Sequence, residues 1–170
     1  LKHAHRTPTL TSNQVNERSN SLVYFKCENF QKVGAFKFRG ACNAVLTLPE
    51  HKAKAGVATH SSGNHAQALA LSAKIRGIKA YVVMPENAPK VKVEAVKNYG
   101  AEVTFCEPSL DARESTLSEV VKKHGAAPIH PYNDTRIIAG QATAAIEFLE
   151  DQPDLDVILT PIGGGGLLSG

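Results

Sequence analysis

The sequence has 170 residues, of which 42% are hydrophobic, and this suits a globular protein with one core, or with one core and part of another. The net charge of +3 comes from dispersed basic residues, so no nucleic-acid surface is predicted. No stretch approaches the roughly 18 consecutive apolar residues of a membrane span, and no membrane partner is expected.

The cysteines Cys27, Cys42 and Cys106 are odd in number and far apart. This pattern favours free thiols in a reducing, cytoplasmic compartment over a disulfide framework. The seven histidines show no metal-ligand spacing, so no metal site is predicted in this chain. The sequence starts at Leu1 and ends just after a glycine-rich loop. We therefore expect both ends to be internal to a longer protein, and an organellar leader stays an open alternative.

Strand and helix patterns alternate along the chain. Strands are predicted at residues 21–27, 56–60, 80–84, 102–106 and 157–160. Helices are predicted at residues 39–48, 66–76, 89–99, 111–124 and 140–150. Such alternation with short turns is typical of βαβ units with right-handed crossovers, so the sequence predicts an α/β fold with a mostly parallel sheet.

Lys37 stands between Phe36 and Phe38, after a strand-like run and just before a helix-like one. Packing between apolar rings would disfavour the ammonium form and lower the pKa of this lysine, which an imine-forming amine requires. The ordinary alternative is a strand whose two phenylalanines face a core while Lys37 points to water.

A second candidate site is the turn Ser61-Ser62-Gly63-Asn64-His65, between a predicted strand and a predicted helix. Hydroxyl and amide side chains, together with the free N–H groups of a helix start, can bind a carboxylate. The alternative is an ordinary helix cap, which uses the same residue types.

The third candidate site is the run of four glycines at Gly163, Gly164, Gly165 and Gly166. Backbone amides without side chains can wrap closely around a phosphate. No lysine follows in the manner of a Walker loop, and the spacing is not that of a dinucleotide fingerprint. A flexible loop is the alternative, although Leu167 and Leu168 continue as if into a helix.

An imine-forming lysine, a carboxylate site and a phosphate cradle together suggest pyridoxal 5'-phosphate with an amino-acid substrate. Residues 34–41, 61–67 and 163–170 resemble the three signatures of fold type II pyridoxal-phosphate enzymes, in the branch of serine racemase and serine/threonine dehydratase. Residues 28–44 and 130–134 resemble that branch too, so the similarity covers nearly the whole chain. It implies a tryptophan synthase β-like fold, with parallel sheets flanked by helices.

The resemblance also assigns roles to single residues. It implies that Lys37 is the Schiff-base lysine, that Phe36 lies against the cofactor ring and that Asn64 binds the phenolic oxygen of that ring. The phosphate would be held by the backbone amides of Gly163, Gly164, Gly165, Gly166 and Leu167. The substrate carboxylate would be held by Ser61, Ser62, Asn64 and His65. Ser62 would also stand opposite Lys37 as a second catalytic residue.

The family pattern further implies two domains. Residues 56–135 would form a complete smaller α/β domain, and residues 1–55 and 136–170 would form part of a larger cofactor-binding domain. The C-terminal part of that larger domain is missing from this chain. Beyond the chain would lie the partner of the pyridine nitrogen and the carboxylates that bind a divalent cation such as Mg²⁺. The full-length form would be a homodimer.

The resemblance implies racemisation of serine, or dehydration of serine, threonine or another 3-hydroxy amino acid. The route would run through an external aldimine and Cα proton abstraction. β-Elimination would then give a 2-oxo acid and ammonia, whereas reprotonation would give the other enantiomer. Two alternatives stay open: a β-replacement synthase of the cysteine-synthase type, and a catalytically silent regulatory module of the same fold.

Overall fold

A parallel four-stranded sheet organises the computed structural model, which describes residues 2–170. The strands in this part of the chain are β1 (Thr9–Thr11), β2 (Tyr24–Lys26), β3 (Val57–His60), β4 (Ala80–Pro85), β5 (Glu102–Cys106) and β6 (Ala127–Pro128). The helices are α1 (Asn13–Ser19), α2 (Lys37–Leu46), α3 (Glu50–Ala53), α4 (Asn64–Arg76), α5 (Lys90–Asn98), α6 (Leu110–His124), α7 (Thr135–Asp151) and α8 (Gly166–Ser169). Short 3₁₀ turns lie at Glu28–Phe30 and Lys32–Gly34.

The order of strands in the main sheet is β5-β4-β3-β6, and every neighbouring pair is parallel. The strands β1 and β2 form a separate antiparallel pair. Because parallel neighbours need crossover connections, helices stand between consecutive strands of the main sheet. The predicted α/β fold with a parallel sheet flanked by helices is confirmed.

Both faces of the main sheet are covered by helices. Val82 and Met84 belong to a core cluster with residues of α4 and α5. The alternate residues Tyr81 and Val83 belong to a second cluster that includes residues of α6. This alternation of side chains between two buried faces explains why β4 is apolar along its whole length.

The helix predicted at residues 140–150 is longer than expected, because it begins at Thr135. Asp134 caps it by accepting a hydrogen bond from the backbone N–H of Arg136 at 2.9 Å. Gly140 lies inside the helix, where a Cβ atom would stand only 2.6 Å from the Cα atom of Gly40. This glycine therefore marks the close crossing of α7 with α2, not a helix start.

The strand predicted at residues 157–160 is wrong for this structure, in which these residues form no strand. Their apolar composition is that of a buried strand, but no neighbouring strand within residues 2–170 pairs with them. Val157 is 70% exposed and Leu159 is 91% exposed. A strand is defined by hydrogen bonds to a neighbour, so composition alone does not produce one here.

The main sheet lies wholly inside residues 56–135, the segment predicted as the smaller domain. Helix α2 falls within residues 1–55 and α7 almost wholly within residues 136–170, and these two helices pack against each other. The division into domains stays a prediction. None of the helices in residues 2–170 combines the length and the apolar character that crossing a bilayer requires.

Candidate active site

Lys37 is the first residue of α2, and its side chain is half-buried. The Nζ atom donates a hydrogen bond to the carbonyl oxygen of Pro131 at 2.8 Å and lies 5.3 Å from the centre of the Phe36 ring. Burial lowers the pKa of Lys37 below that of an ordinary lysine, because water stabilises the ammonium form and the protein interior does not. The alternative of a strand lysine pointing to water is therefore wrong.

The two phenylalanines beside Lys37 have different surroundings. The ring of Phe36 faces the Lys37 amine. Phe38 is fully buried in a cluster with Ala41 of α2 and Ala68 of α4. The ammonium of Lys32 lies over the Phe38 ring, 5.4 Å from its centre. Successive residues of a helix point in different directions, so the two rings flank Lys37 in sequence without enclosing it in space.

The backbone that leads into Lys37 is tightly constrained. Val33 and Gly34 both have left-handed backbone conformations, with φ angles of 58° and 69°. A β-branched residue is strained in this region. Gln31 anchors the segment by accepting a hydrogen bond from the backbone N–H of His5 at 2.9 Å and donating one to the His5 carbonyl at 2.7 Å. The position of the lysine is thus fixed by the fold around it.

The serine-containing turn joins the end of β3 to the start of α4, as predicted. Gly63 is the N-cap residue, and no side chain caps this helix end. Ser61 Oγ instead accepts a hydrogen bond from the backbone N–H of Gly63 at 3.3 Å. Ser62 is half-buried and Asn64 is exposed. An uncapped helix start leaves N–H groups available for an anion, and this favours the carboxylate hypothesis over an ordinary cap.

His65 follows in the same helix start but is buried, with 3% of its surface exposed. Burial and, second to it, the nearby charge of Lys37 lower the pKa of its imidazole to about 3. The ring is therefore neutral at physiological pH. Because its side chain is enclosed, any contact of His65 with a substrate carboxylate would come from its backbone N–H.

The glycine run has two kinds of position. A Cβ atom on Gly164 would lie 2.3 Å from the ring of Tyr132, and Gly165 has a left-handed φ angle of 81°. The fold itself thus requires glycine at Gly164 and favours it at Gly165. At Gly163 no atom lies within 4 Å of the Cβ position, so the backbone there is open to a ligand. The packing of Gly164 against Tyr132 is evidence against a flexible loop.

The turn at residues 130–133 contacts two of these motifs, Lys37 and the glycine loop. Its Pro131 carbonyl accepts the hydrogen bond from Lys37, and its Tyr132 ring packs against Gly164. In the sequence, this segment stands out only through the family resemblance, and no role is predicted for it. The signal that points to it is its place just after the short strand β6, which lies beside β3 in the sheet.

The site thus combines an amine with a lowered pKa and a glycine loop, both in contact with one turn of an α/β protein, and an uncapped helix start whose His65 lies near the charge of that amine. The family model "Pyridoxal-phosphate dependent enzyme" matches residues 1–170. The chain belongs to that family.

Individual relatives agree with this membership. The serine racemase of Dictyostelium discoideum is 52% identical over 169 residues, which are 99% of this chain and 52% of that protein. The beta-hydroxyaspartate dehydratase of Paracoccus denitrificans is 52% identical over 168 residues, covering 99% of this chain and 53% of that protein. The crystal structure of the Dictyostelium serine racemase matches with a TM-score of 0.94 at 51% identity, covering 98% of this chain and 54% of that one.

These comparisons confirm the resemblance stated from the sequence motifs, together with the fold type II architecture that it implies. The chain spans about half the length of the curated relatives it matches. The predicted absence of the C-terminal part of the larger domain fits this coverage.

The residues present fit pyridoxal phosphate. Lys37 supplies an amine that burial biases toward the neutral, nucleophilic form. At Gly163 the backbone is open to a ligand. At the next residue, Gly164, a Cβ atom would be crowded by the rest of the protein. The side chains of Phe36 and Asn64 are accessible for the aromatic ring and its phenolic oxygen, since one is half-buried and the other exposed.

Proposed function

We propose that the protein containing this chain is a pyridoxal-phosphate-dependent racemase or dehydratase of serine, threonine or another small 3-hydroxy amino acid. Its products are a 2-oxo acid with ammonia, the opposite enantiomer of the substrate, or both. The observation that carries this proposal is the half-buried Lys37 amine, hydrogen-bonded to the same turn that supports the glycine loop. The relatives named serine racemase and hydroxyaspartate dehydratase support the choice of substrate class.

The proposed binding roles follow from the surroundings of each group. Lys37 attaches the cofactor covalently, and Phe36 packs beside its ring. Asn64 binds the phenolic oxygen. The backbone amides of Gly163, Gly164, Gly165, Gly166 and Leu167 hold the phosphate. When bound, pyridoxal phosphate delocalises the negative charge that develops at the substrate Cα atom.

The substrate carboxylate is bound at the start of α4 in this proposal. Ser61, Ser62 and Asn64 contribute polar side chains, and His65 contributes its backbone N–H. The first-turn amides of a helix without a side-chain cap favour an anion at this end. A carboxylate held here is oriented by a rigid strand–helix junction, because β3 and α4 both pack into the main core.

Lys37 is the proposed base on one face of the substrate. A lysine with an ordinary pKa is almost wholly protonated near neutral pH and cannot accept a proton. Burial lowers the pKa of Lys37, which raises the fraction of free amine that can remove the Cα proton. Ser62 is the proposed proton donor or acceptor on the opposite face.

The remaining features of the proposal concern the whole protein. We infer a homodimer acting on small amino acids, without nucleic-acid or membrane partners. The free thiols of Cys27, Cys42 and Cys106 support a reducing compartment, taken here as the cytoplasm. A divalent cation such as Mg²⁺ is expected to bind to residues beyond this chain.

The proposal is tested on the full-length protein supplied with pyridoxal phosphate and L-serine. We expect pyruvate with ammonia, D-serine, or both, measured by coupled assay and chiral chromatography. Product formation that requires sulfide and an activated serine would instead assign a β-replacement synthase. Absence of both products and of covalent cofactor attachment would assign a silent module and overturn the proposal.

Replacing Ser62 by alanine should affect the reactions that need proton transfer on the face opposite Lys37 more than those that do not. Racemisation and D-serine elimination should fall by about 10²–10⁴-fold, because they need a proton-transfer group opposite Lys37. L-serine elimination should keep much of its rate, since one base is sufficient for it. The measurement is kcat and KM for both enantiomers.

The matched control for this experiment is the neighbouring hydroxyl, in Ser61→Ala. Its loss should weaken all three reactions together through poorer substrate binding. If Ser62→Ala behaves in the same uniform way as Ser61→Ala, then Ser62 only binds the substrate and is not a second base.

A further inference from the structure

The imidazole of His130 holds the turn at residues 130–133 from within. Its Nδ1 atom accepts hydrogen bonds from the backbone N–H groups of Tyr132, at 3.2 Å, and of Asn133, at 2.8 Å. A nitrogen that accepts two hydrogen bonds carries no proton, so the neutral ring carries its proton on Nε2. Pro131 has no N–H of its own, so these two amides are the first that the turn can offer.

Each end of this turn contacts a different part of the candidate site. The Pro131 carbonyl, one residue after His130, accepts the hydrogen bond from Lys37. The Tyr132 ring lies edge-on to the His130 ring, with 4.4 Å between ring centres, and packs against Gly164. The His130 imidazole thus fixes two groups of the turn: the Pro131 carbonyl, which accepts the hydrogen bond from Lys37, and the Tyr132 ring, which supports the glycine loop.

We propose that His130 is a positioning residue. By holding the turn at residues 130–133, it keeps Lys37 and the glycine loop at a fixed position relative to each other. The part of the proposal that concerns pyridoxal phosphate rests on the proposed function. Without the two hydrogen bonds to Nδ1, the turn is free to move. The Pro131 carbonyl and the Tyr132 ring then lose their fixed separation, and a cofactor that must reach both ends of the site is bound less well.

The chemistry of the acceptor allows a sharp test. Asparagine carries its Oδ1 atom on Cγ, at the same place along the side chain as Nδ1 of histidine. Its oxygen can accept the same two N–H groups, as in an Asx turn. Glutamine carries the same amide one carbon further out, where it does not meet the backbone of Tyr132 and Asn133. The pair His130→Asn and His130→Gln therefore differs in acceptor position and not in polarity.

The first measurement is amide hydrogen exchange of the full-length protein without cofactor. In His130→Gln the amides of Tyr132 and Asn133 should exchange about fivefold faster or more, since each loses a hydrogen bond. In His130→Asn they should stay within about twofold of the wild type. His51→Gln, at an exposed histidine far along the chain, is the control and should change neither amide.

The second measurement is the affinity for pyridoxal phosphate, read as the fraction of Lys37 trapped by borohydride reduction and mass spectrometry. We expect about tenfold weaker binding in His130→Gln and near wild-type binding in His130→Asn. Equal behaviour of the two variants, whether both intact or both impaired, would overturn the proposal. If His130→Gln does not fold, weak binding by a folded His130→Asn variant is sufficient to overturn it. Failure of the proposed function is distinguishable, because the wild type itself would then trap no cofactor while the exchange result would still report on the turn.

Discussion

Replacing Lys37 by alanine should remove covalent attachment of pyridoxal phosphate and reduce turnover of the full-length protein by at least about a thousandfold. The variant lacks both the amine that binds the cofactor and the proposed base, and general-base catalysis alone contributes about 10²–10⁴-fold. Covalent attachment is measured by reduction and mass spectrometry, and turnover by formation of the 2-oxo acid. Normal turnover in Lys37→Ala would contradict the whole proposal.

Two matched variants test whether the effect comes from the Lys37 amine itself. One keeps the positive charge at this position, and the other removes a different lysine nearby. Lys37→Arg keeps a positive charge, but a guanidinium remains protonated and forms no imine, so it should be as inactive as the alanine variant. Lys32→Ala removes a lysine five residues earlier, whose ammonium lies over the Phe38 ring. That variant should keep its covalent cofactor and most of its activity.

Replacing Arg39 by alanine should lower the free energy of unfolding by about 3–5 kcal/mol, the largest stability change that we expect. Its side chain is fully buried and forms bidentate hydrogen bonds of 2.7–2.8 Å to the carboxylates of Glu28 and Glu147. Burial opposes the charged guanidinium, but the hydrogen bonds that Arg39 donates to Glu147 and Glu28 outweigh it and raise the pKa of Arg39. Alanine would leave the partly buried Glu28 carboxylate without its cation and Glu147 with only Lys26, at 3.2 Å.

The measurement for Arg39 is urea unfolding of the full-length protein, followed by circular dichroism. Arg39→Met combined with Glu28→Gln and Glu147→Gln should recover part of the loss, because no unpaired charge remains. Arg6→Ala is the surface control, since the Arg6 side chain is half-exposed where it pairs with acidic residues at the end of α7. A loss in Arg39→Ala no larger than in Arg6→Ala would show that the buried network contributes little.

Much of the fold follows from local sequence signals. The strands predicted for β3, β4 and β5 agree with the observed bounds to within one residue, because short runs of apolar and β-branched residues that follow a glycine leave few other solutions. For α7 the sequence predicts a start at Gly140, whereas the helix begins at Thr135. That glycine is explained by its contact with Gly40, which is about a hundred residues away in sequence. Contacts between residues so far apart in the sequence cannot be predicted from local sequence patterns.

The candidate site, too, has a part that can be predicted from the sequence and a part that cannot. Lys37, the serine-containing turn and the glycine run are visible in the sequence because each uses residue types suited to its chemistry. The role of residues 130–133 is not visible there, since it arises from a Pro131 carbonyl and a Tyr132 ring that contact other parts of the chain. Likewise, the sequence pattern placed Lys37 between two rings, whereas the helical backbone turns Phe38 into a separate core.

The segment 157–160 sets a requirement for whatever covers it. In an extended chain Val157 and Leu159 point to one side and Ile158 to the other, so apolar side chains stand on both sides of a backbone that has no strand partner within residues 2–170. A cover must bring hydrogen-bonding groups beside the segment and apolar layers above and below it, which is the environment of an interior parallel strand. While the segment is uncovered, its apolar side chains and free backbone groups are open to mispairing with strands of other molecules.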